Sequence, residues 1–140
     1  MIRSILLAAL VVAAPIAVAT AADARREAIL ADFAAKARQA DPAFTAFSAQ
    51  RGETLFRTKW AGGDARTPSC TTCHTDNPKV AGQNAKTGRT IEPVAVSVNP
   101  KRFVDMAEVE KQFGRDCKNV IGRECTPLEK GDYVTFMVGQ

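Results

Sequence analysis

Residues 69–78 read SCTTCHTDNP, and three of them set the terms for the whole chain. Cys70 and Cys73 stand three positions apart, and His74, the only histidine among the 140 residues, follows the second cysteine directly. In C-x-x-C-H the two thiols can add to the two vinyl groups of a haem as thioethers, which holds the adjacent imidazole under the iron. A thioredoxin-like redox pair would open a helix after a strand, and no strand pattern precedes Ser69. A four-cysteine zinc site would need a second C-x-x-C, whereas Cys117 and Cys125 are eight apart. One covalent haem c is the reading that uses all three residues. It also raises a question: with one histidine, what meets the other face of the iron?

The N-terminus bears on the other cysteines. Arg3 precedes an apolar run from Ile5 to Ala19, and small residues continue to Ala22. That is the form of a secretory signal peptide over 1–22, leaving 23–140 as one monohaem domain in the periplasm. The run is short for a membrane span and contains Pro15, so no span is expected after cleavage; an uncleaved anchor is the alternative. Outside the cytoplasm each cysteine should have a function. Cys117 and Cys125 are expected to form a disulfide around CKNVIGREC, contributing roughly 2–3 kcal/mol. It is either a surface staple or the device that fixes Asp116, the residue before it. The net charge of +4 includes Arg3, and two haem propionates would offset most of the remainder. No basic block exceeds two residues, so nucleic acid is not an expected partner.

Apolar spacing predicts a helix over 24–40, with Ile29, Phe33 and Ala37 on one face and Arg25, Arg26, Lys36 and Arg38 elsewhere. A second helix is expected to start at Asp41-Pro42 and to carry Phe44, Phe47, Leu55 and Phe56. Residues 78–102, rich in proline and glycine, read as an extended segment wrapped over a support, which a haem would provide. Asp105 and Glu108 suggest a capping box for a third helix, with Met106, Val109, Phe113 and Asp116 along one face. In the last helix Thr126 caps, Pro127 is first and Glu129 reaches back, with Val134, Met137 and Val138 inward.

GETLFRT followed by SCTTCH resembles the amino-terminal half of class I c-type cytochromes. CTTCHTDNP, AGQNAKTGRTIEP, NPKRFVD and CKNVIGRECTPLEK resemble, more specifically, the small family of sphaeroides haem protein (SHP) and cytochrome c-double-prime, over about Ala46 to Val138. The resemblance implies an all-α, class I-like fold around one covalent haem, here with an extra N-terminal helix and a disulfide loop. It places the thioethers at Cys70 and Cys73, the fixed axial ligand at His74 and the disulfide at Cys117 and Cys125. It also implies a sixth ligand that leaves the iron on reduction and opens it to a small diatomic molecule such as oxygen or nitric oxide. Implied redox partners are a di-haem c-type cytochrome or a membrane b-type cytochrome. The family's detachable ligand is asparagine or histidine immediately before the first disulfide cysteine; this chain departs from that with Asp116.

For the sixth position Asp116 stands first, because an inward carboxylate needs a cationic partner and ferric haem supplies one. Water or a vacancy, Met106, Met137, a lysine and Asn119 remain alternatives, although methionines on apolar stripes usually fill core space. The Pro93 carbonyl is expected to accept from the His74 ring N–H. The expected function is an exported electron-transfer cytochrome whose sixth position is redox-gated, against a plain shuttle with permanently six-coordinate iron. An enzyme is the weaker expectation, since only Asp116 offers acid–base chemistry.

Overall fold

The computed structural model describes residues 20–140. The expected leader over 1–22 lies, apart from its last three residues, outside the described residues. Helix α1 spans Ala21–Ala40 and begins earlier than the spacing predicts because Thr20 and Asp23 form a reciprocal capping box. Ile29, Phe33 and Ala37 are buried along it, as expected. Arg26 is buried as well, contrary to its expected place on the polar face. Its guanidinium donates to the carbonyls of Pro100 (2.9 Å) and Arg102 (3.3 Å) and to Asp23 (2.8 Å). A buried cation with each of its three guanidinium nitrogens paired becomes a tether between α1 and the segment around residue 100.

Asp41 ends α1 instead of starting α2. Its backbone N–H closes the last turn on Ala37, and its carboxylate accepts from the Ala43 N–H, which turns the chain. Helix α2 is Ala49–Arg57, capped by the Ser48 hydroxyl. Phe44 and Phe47 therefore pack from a loop, ring on ring at 5.0 Å. Helix α3, Thr71–His74, is a single turn, and a small hairpin follows, with β1 (Gly82–Gln83) antiparallel to β2 (Thr90–Ile91). Helix α4 is Met106–Val120. Asp105 caps it through the Glu108 N–H at 2.9 Å, one half of the expected box. Helix α5, Pro127–Val138, starts with the complete Thr126–Glu129 box and Pro127 in the first turn. The fold is all-α, as expected, apart from the hairpin.

The core lies where α1, α2 and α4 meet α5. Phe33, Phe56, Val134 and Met137 are its most enclosed side chains, and Phe33 meets Phe113 edge-on at 6.2 Å. Met137 is thus core filling. Val138, expected inward, is exposed, because the helix turns it about 100° away from Met137. The Cys117–Cys125 disulfide is formed, and both cysteines belong to the core, so it is not a surface staple. Asp132 of α5 is 3% exposed and holds α2: it accepts from the Ser48 N–H at 2.6 Å and from Arg51 Nε at 2.6 Å and Nη2 at 2.8 Å.

Asp132→Ala should therefore cost about 2–3 kcal/mol, since it strands the Ser48 N–H while half-exposed Arg51 can return to water. The expected readout is a lower urea midpoint with an unchanged slope.

Candidate haem site

Cys70 opens the α3 turn and accepts from the backbone N–H groups of Cys73 (3.2 Å) and His74 (3.0 Å). Just ahead, buried Ser69 shares hydroxyl hydrogen bonds with Thr71 (2.7 Å) and Thr72 (3.1 Å), which ties the turn from its N-terminal side. Thr75 ends it at φ 61°, ψ 173°, a conformation that favours glycine and costs a threonine on the order of 1–3 kcal/mol. The chain thus reverses immediately after the histidine. Thr75 exchanges hydrogen bonds with Asn77 to hold that reversal.

Three segments brace α3. The hairpin lies directly on it: a Cβ on Gly82 would stand 1.9 Å from the Cys73 carbonyl oxygen, so only glycine allows this approach. The loop between α2 and α3 is joined to the end of α4, because the Asp64 N–H donates to the Asn119 carbonyl at 2.7 Å. Lys86 of the hairpin reaches Asp64 (2.9 Å) and the Asn119 side chain (3.2 Å), which links the hairpin, the loop and the end of α4. The residue 92–103 segment forms a strap: Val94 and Ala95 both donate to the Pro78 carbonyl at 3.0 Å. Residues 78–102 are thus wrapped over α3 itself, held by Arg102 from within and Arg26 from outside.

The surroundings set the chemistry of the two kinds of donor. Burial first, then the charge of Arg102, holds the His74 imidazole below its ordinary value of 6.5, while Asp116 acts in the opposite sense. The neutral ring that results is the form that binds a metal. Burial, followed by the Asp116 charge, pushes the Cys70 thiol up to about 12. Burial likewise raises the Tyr133 phenol well above its ordinary value, with Cys70 and Asp116 as further causes. Phe56, Phe103 and Phe113 surround the Tyr133 ring at 5.5–6.2 Å, which gives the Cys70 side an aromatic wall. Two free thiols, a neutral imidazole and an apolar wall fit a covalent porphyrin.

Cys70, Cys73 and His74 are brought together on one turn, and the field of Asp116 reaches the first and last of them. Its side chain is not turned into the core, however. It is 45% exposed and is held by Arg115, Nε to Oδ1 at 2.7 Å and Nη2 to Oδ2 at 3.1 Å. The buried stripe of α4 is Val109, Phe113, Cys117 and Val120, with Met106 only partly covered, so Cys117 takes the position expected for Asp116. The Pro93 carbonyl accepts from Arg102 Nε and Asn99 Nδ2, each at 3.1 Å, in place of the expected imidazole. In the sequence Arg102 was legible as a cation for a haem propionate or for water. Nothing in the sequence signalled that it would also bond the Glu92 carbonyl at 2.7 Å beside the histidine.

This fold and this turn define a c-type cytochrome of class I-like architecture. A family model described as a domain of unknown function, DUF1924, matches residues 42–137. Cytochrome c-type protein SHP of Cereibacter sphaeroides is 50% identical over 92 residues, 66% of this chain and 70% of that protein. Cytochrome c'' of Methylophilus methylotrophus is 35% identical over 102 residues, 73% of this chain and 71% of that protein. The solved structure of oxidized SHP, described as an oxygen-binding cytochrome c, superposes with a TM-score of 0.75 at 43% identity, covering 82% of this chain and 96% of that one. Oxidized cytochrome c'' gives 0.72 at 32% identity, covering 84% and 95%. The chain belongs to this SHP and cytochrome c'' family, and its cofactor is covalently bound haem c.

Gly82→Ala should drive the hairpin off Cys73 and sharply reduce covalent haem incorporation, read as haem-stained protein per total protein. Gly114→Ala, where a Cβ meets nothing within 4 Å, should incorporate normally. In the apoprotein, Cys70 should alkylate slowly at pH 8, and Asp116→Asn should speed it about two- to threefold by removing the neighbouring negative charge. Mass spectrometry of the labelled peptide checks this without any cofactor.

Proposed function

We propose that this chain is an exported electron-transfer cytochrome in which Cys70 and Cys73 carry the haem thioethers, His74 is the fixed axial ligand, and Asp116 controls access to the other coordination position. The observation that supports this is the convergence of both free thiols and the single histidine on α3, within the field of one carboxylate held by its sequence neighbour. Haem iron, when bound, supplies the one-electron step and a place for a small diatomic ligand such as oxygen or nitric oxide.

The residues around that position have separable tasks. Burial keeps His74 neutral and ready to ligate. Asp116 has alternative cationic partners, the Arg115 guanidinium and a ferric centre. A bidentate arginine is a good resting place for a carboxylate, so release does not strand a charge in the fold. Attraction of Asp116 to a ferric centre would favour the oxidised state, and each 59 mV drop in a one-electron potential is a tenfold preference. Reduction at the haem would weaken that attraction and leave Asp116 with Arg115. Leader cleavage would deliver the domain to the periplasm, where a di-haem c-type or membrane b-type cytochrome would serve as redox partner. Among the described residues, no helix is long and apolar enough to cross a membrane.

Two measurements test this reading. Carbon monoxide or nitric oxide added to the ferrous protein should change its absorption spectrum at once; an inert six-coordinate spectrum would overturn the gate. Asp116→Asn should raise the midpoint potential and shift the ferric spin state toward low spin. Wild-type values for both would remove Asp116 from the mechanism.

A further inference from the structure

The charge of the molecule is unevenly placed. Between Arg57 and Arg102 the chain has eight lysines and arginines against three carboxylates, a net of +5, which exceeds the +4 of the entire sequence. From Phe103 to the C-terminus, covering α4 and α5, the balance is five against seven, a net of −2. The stretch from Arg57 to Arg102 is the one that encloses α3. Its parts are linked to that turn: Arg57 Nη1 donates to the Asp76 carbonyl at 3.0 Å, the hairpin sits on Cys73, and the strap is bonded to Pro78.

All three of its carboxylates have partners within the shell, Asp76 through Arg57 at 3.9 Å. Asp64 is shared by Arg66 and Lys86, which hold it far below the usual carboxylate range, and Glu92 accepts from Asn99 at 3.3 Å. Lys59, Lys79, Arg89 and Lys101 are exposed and, among the described residues, have no ion pair. These four stand on four separate segments: the exit of α2, the turn at Asn77–Val80, the hairpin and the strap. A large uncompensated field around the redox-active turn raises the local concentration of oppositely charged partners.

We infer that this cationic shell around α3 is the docking face for the acidic surface of a redox-partner protein. The inference rests on the electron-transfer reading above. The spread of single charges over four segments suits a broad protein surface. A single-stranded nucleic acid would ask for exposed stacking rings, and Trp60, the one aromatic residue of the stretch, is packed against the core.

The test uses the haem-loaded protein. The double variant Lys79→Glu with Lys101→Glu is compared with Lys111→Glu plus Lys118→Glu on α4, which has the same net charge. Oxidation of the ferrous protein by ferricyanide, one electron passing from iron(II) to the anion, should slow about five- to tenfold at low salt in the shell variant and less than twofold in the control, converging as salt is raised. Poly-L-glutamate should shift wild-type amide resonances within 57–102 and fail to shift those of the shell variant. Equal slowing in both variants, or peptide-induced shifts centred on α4, would overturn the docking face. So would a face that ignores poly-L-glutamate yet responds to duplex DNA or to anionic vesicles. A ferrous protein that gives no electron to ferricyanide or to a cationic cobalt complex would instead sink the electron-transfer reading beneath it.

Discussion

A helix of one turn has no stability of its own, because nucleation costs more than a single turn of hydrogen bonds returns. The α3 turn must present two thiols and an imidazole in fixed directions, so its geometry has to be imposed from outside. That requirement accounts for much of the rest of the chain. The hairpin supplies a glycine that touches the Cys73 carbonyl, Ser69 and Thr75 close the two ends, and the strap is anchored to Pro78. Even the N-terminal helix contributes, since buried Arg26 holds the strap carbonyls whose own arginine lies near His74.

The packing beyond the site is a conventional helical core, and it separates stability from function. Asp132 joins α5 to α2 through Arg51 and Ser48, whereas the site is braced by loops. The electrostatics follow the same division. Burial acts most strongly on His74, and Arg102 from the strap and Asp116 from α4 add opposite charges to that effect.

Local chemistry was legible in the sequence and long-range chemistry was not. Thr126, Pro127 and Glu129 announce α5 because a capping box is complete within four residues. The C-x-x-C-H run announces its cofactor for the same reason. Asp41-Pro42 has the look of a helix start, yet the same aspartate can end one helix as readily as begin another, and tertiary packing decides. Arg26 could not be recognised as buried, since its two carbonyl partners lie 74 and 76 residues away. An i+3 step from Phe113 reaches Asp116 and an i+4 step reaches Cys117, and it is Cys117 that is buried. A single position on a helix is about 100° of rotation, enough to move Asp116 from the core to its rim.

The two cysteine pairs differ in burial, and this sorts them for assembly. Cys117 and Cys125 are enclosed in the core, while Cys70 and Cys73 stand on a partly open turn. In the oxidising compartment that the proposed export implies, attachment of a cofactor to thiols would call for a reductant that acts on one pair and spares the other. Here the fold itself makes that distinction. Once α4 and α5 have closed over their crosslink, a maturation enzyme needs no sequence-specific selectivity to leave it intact.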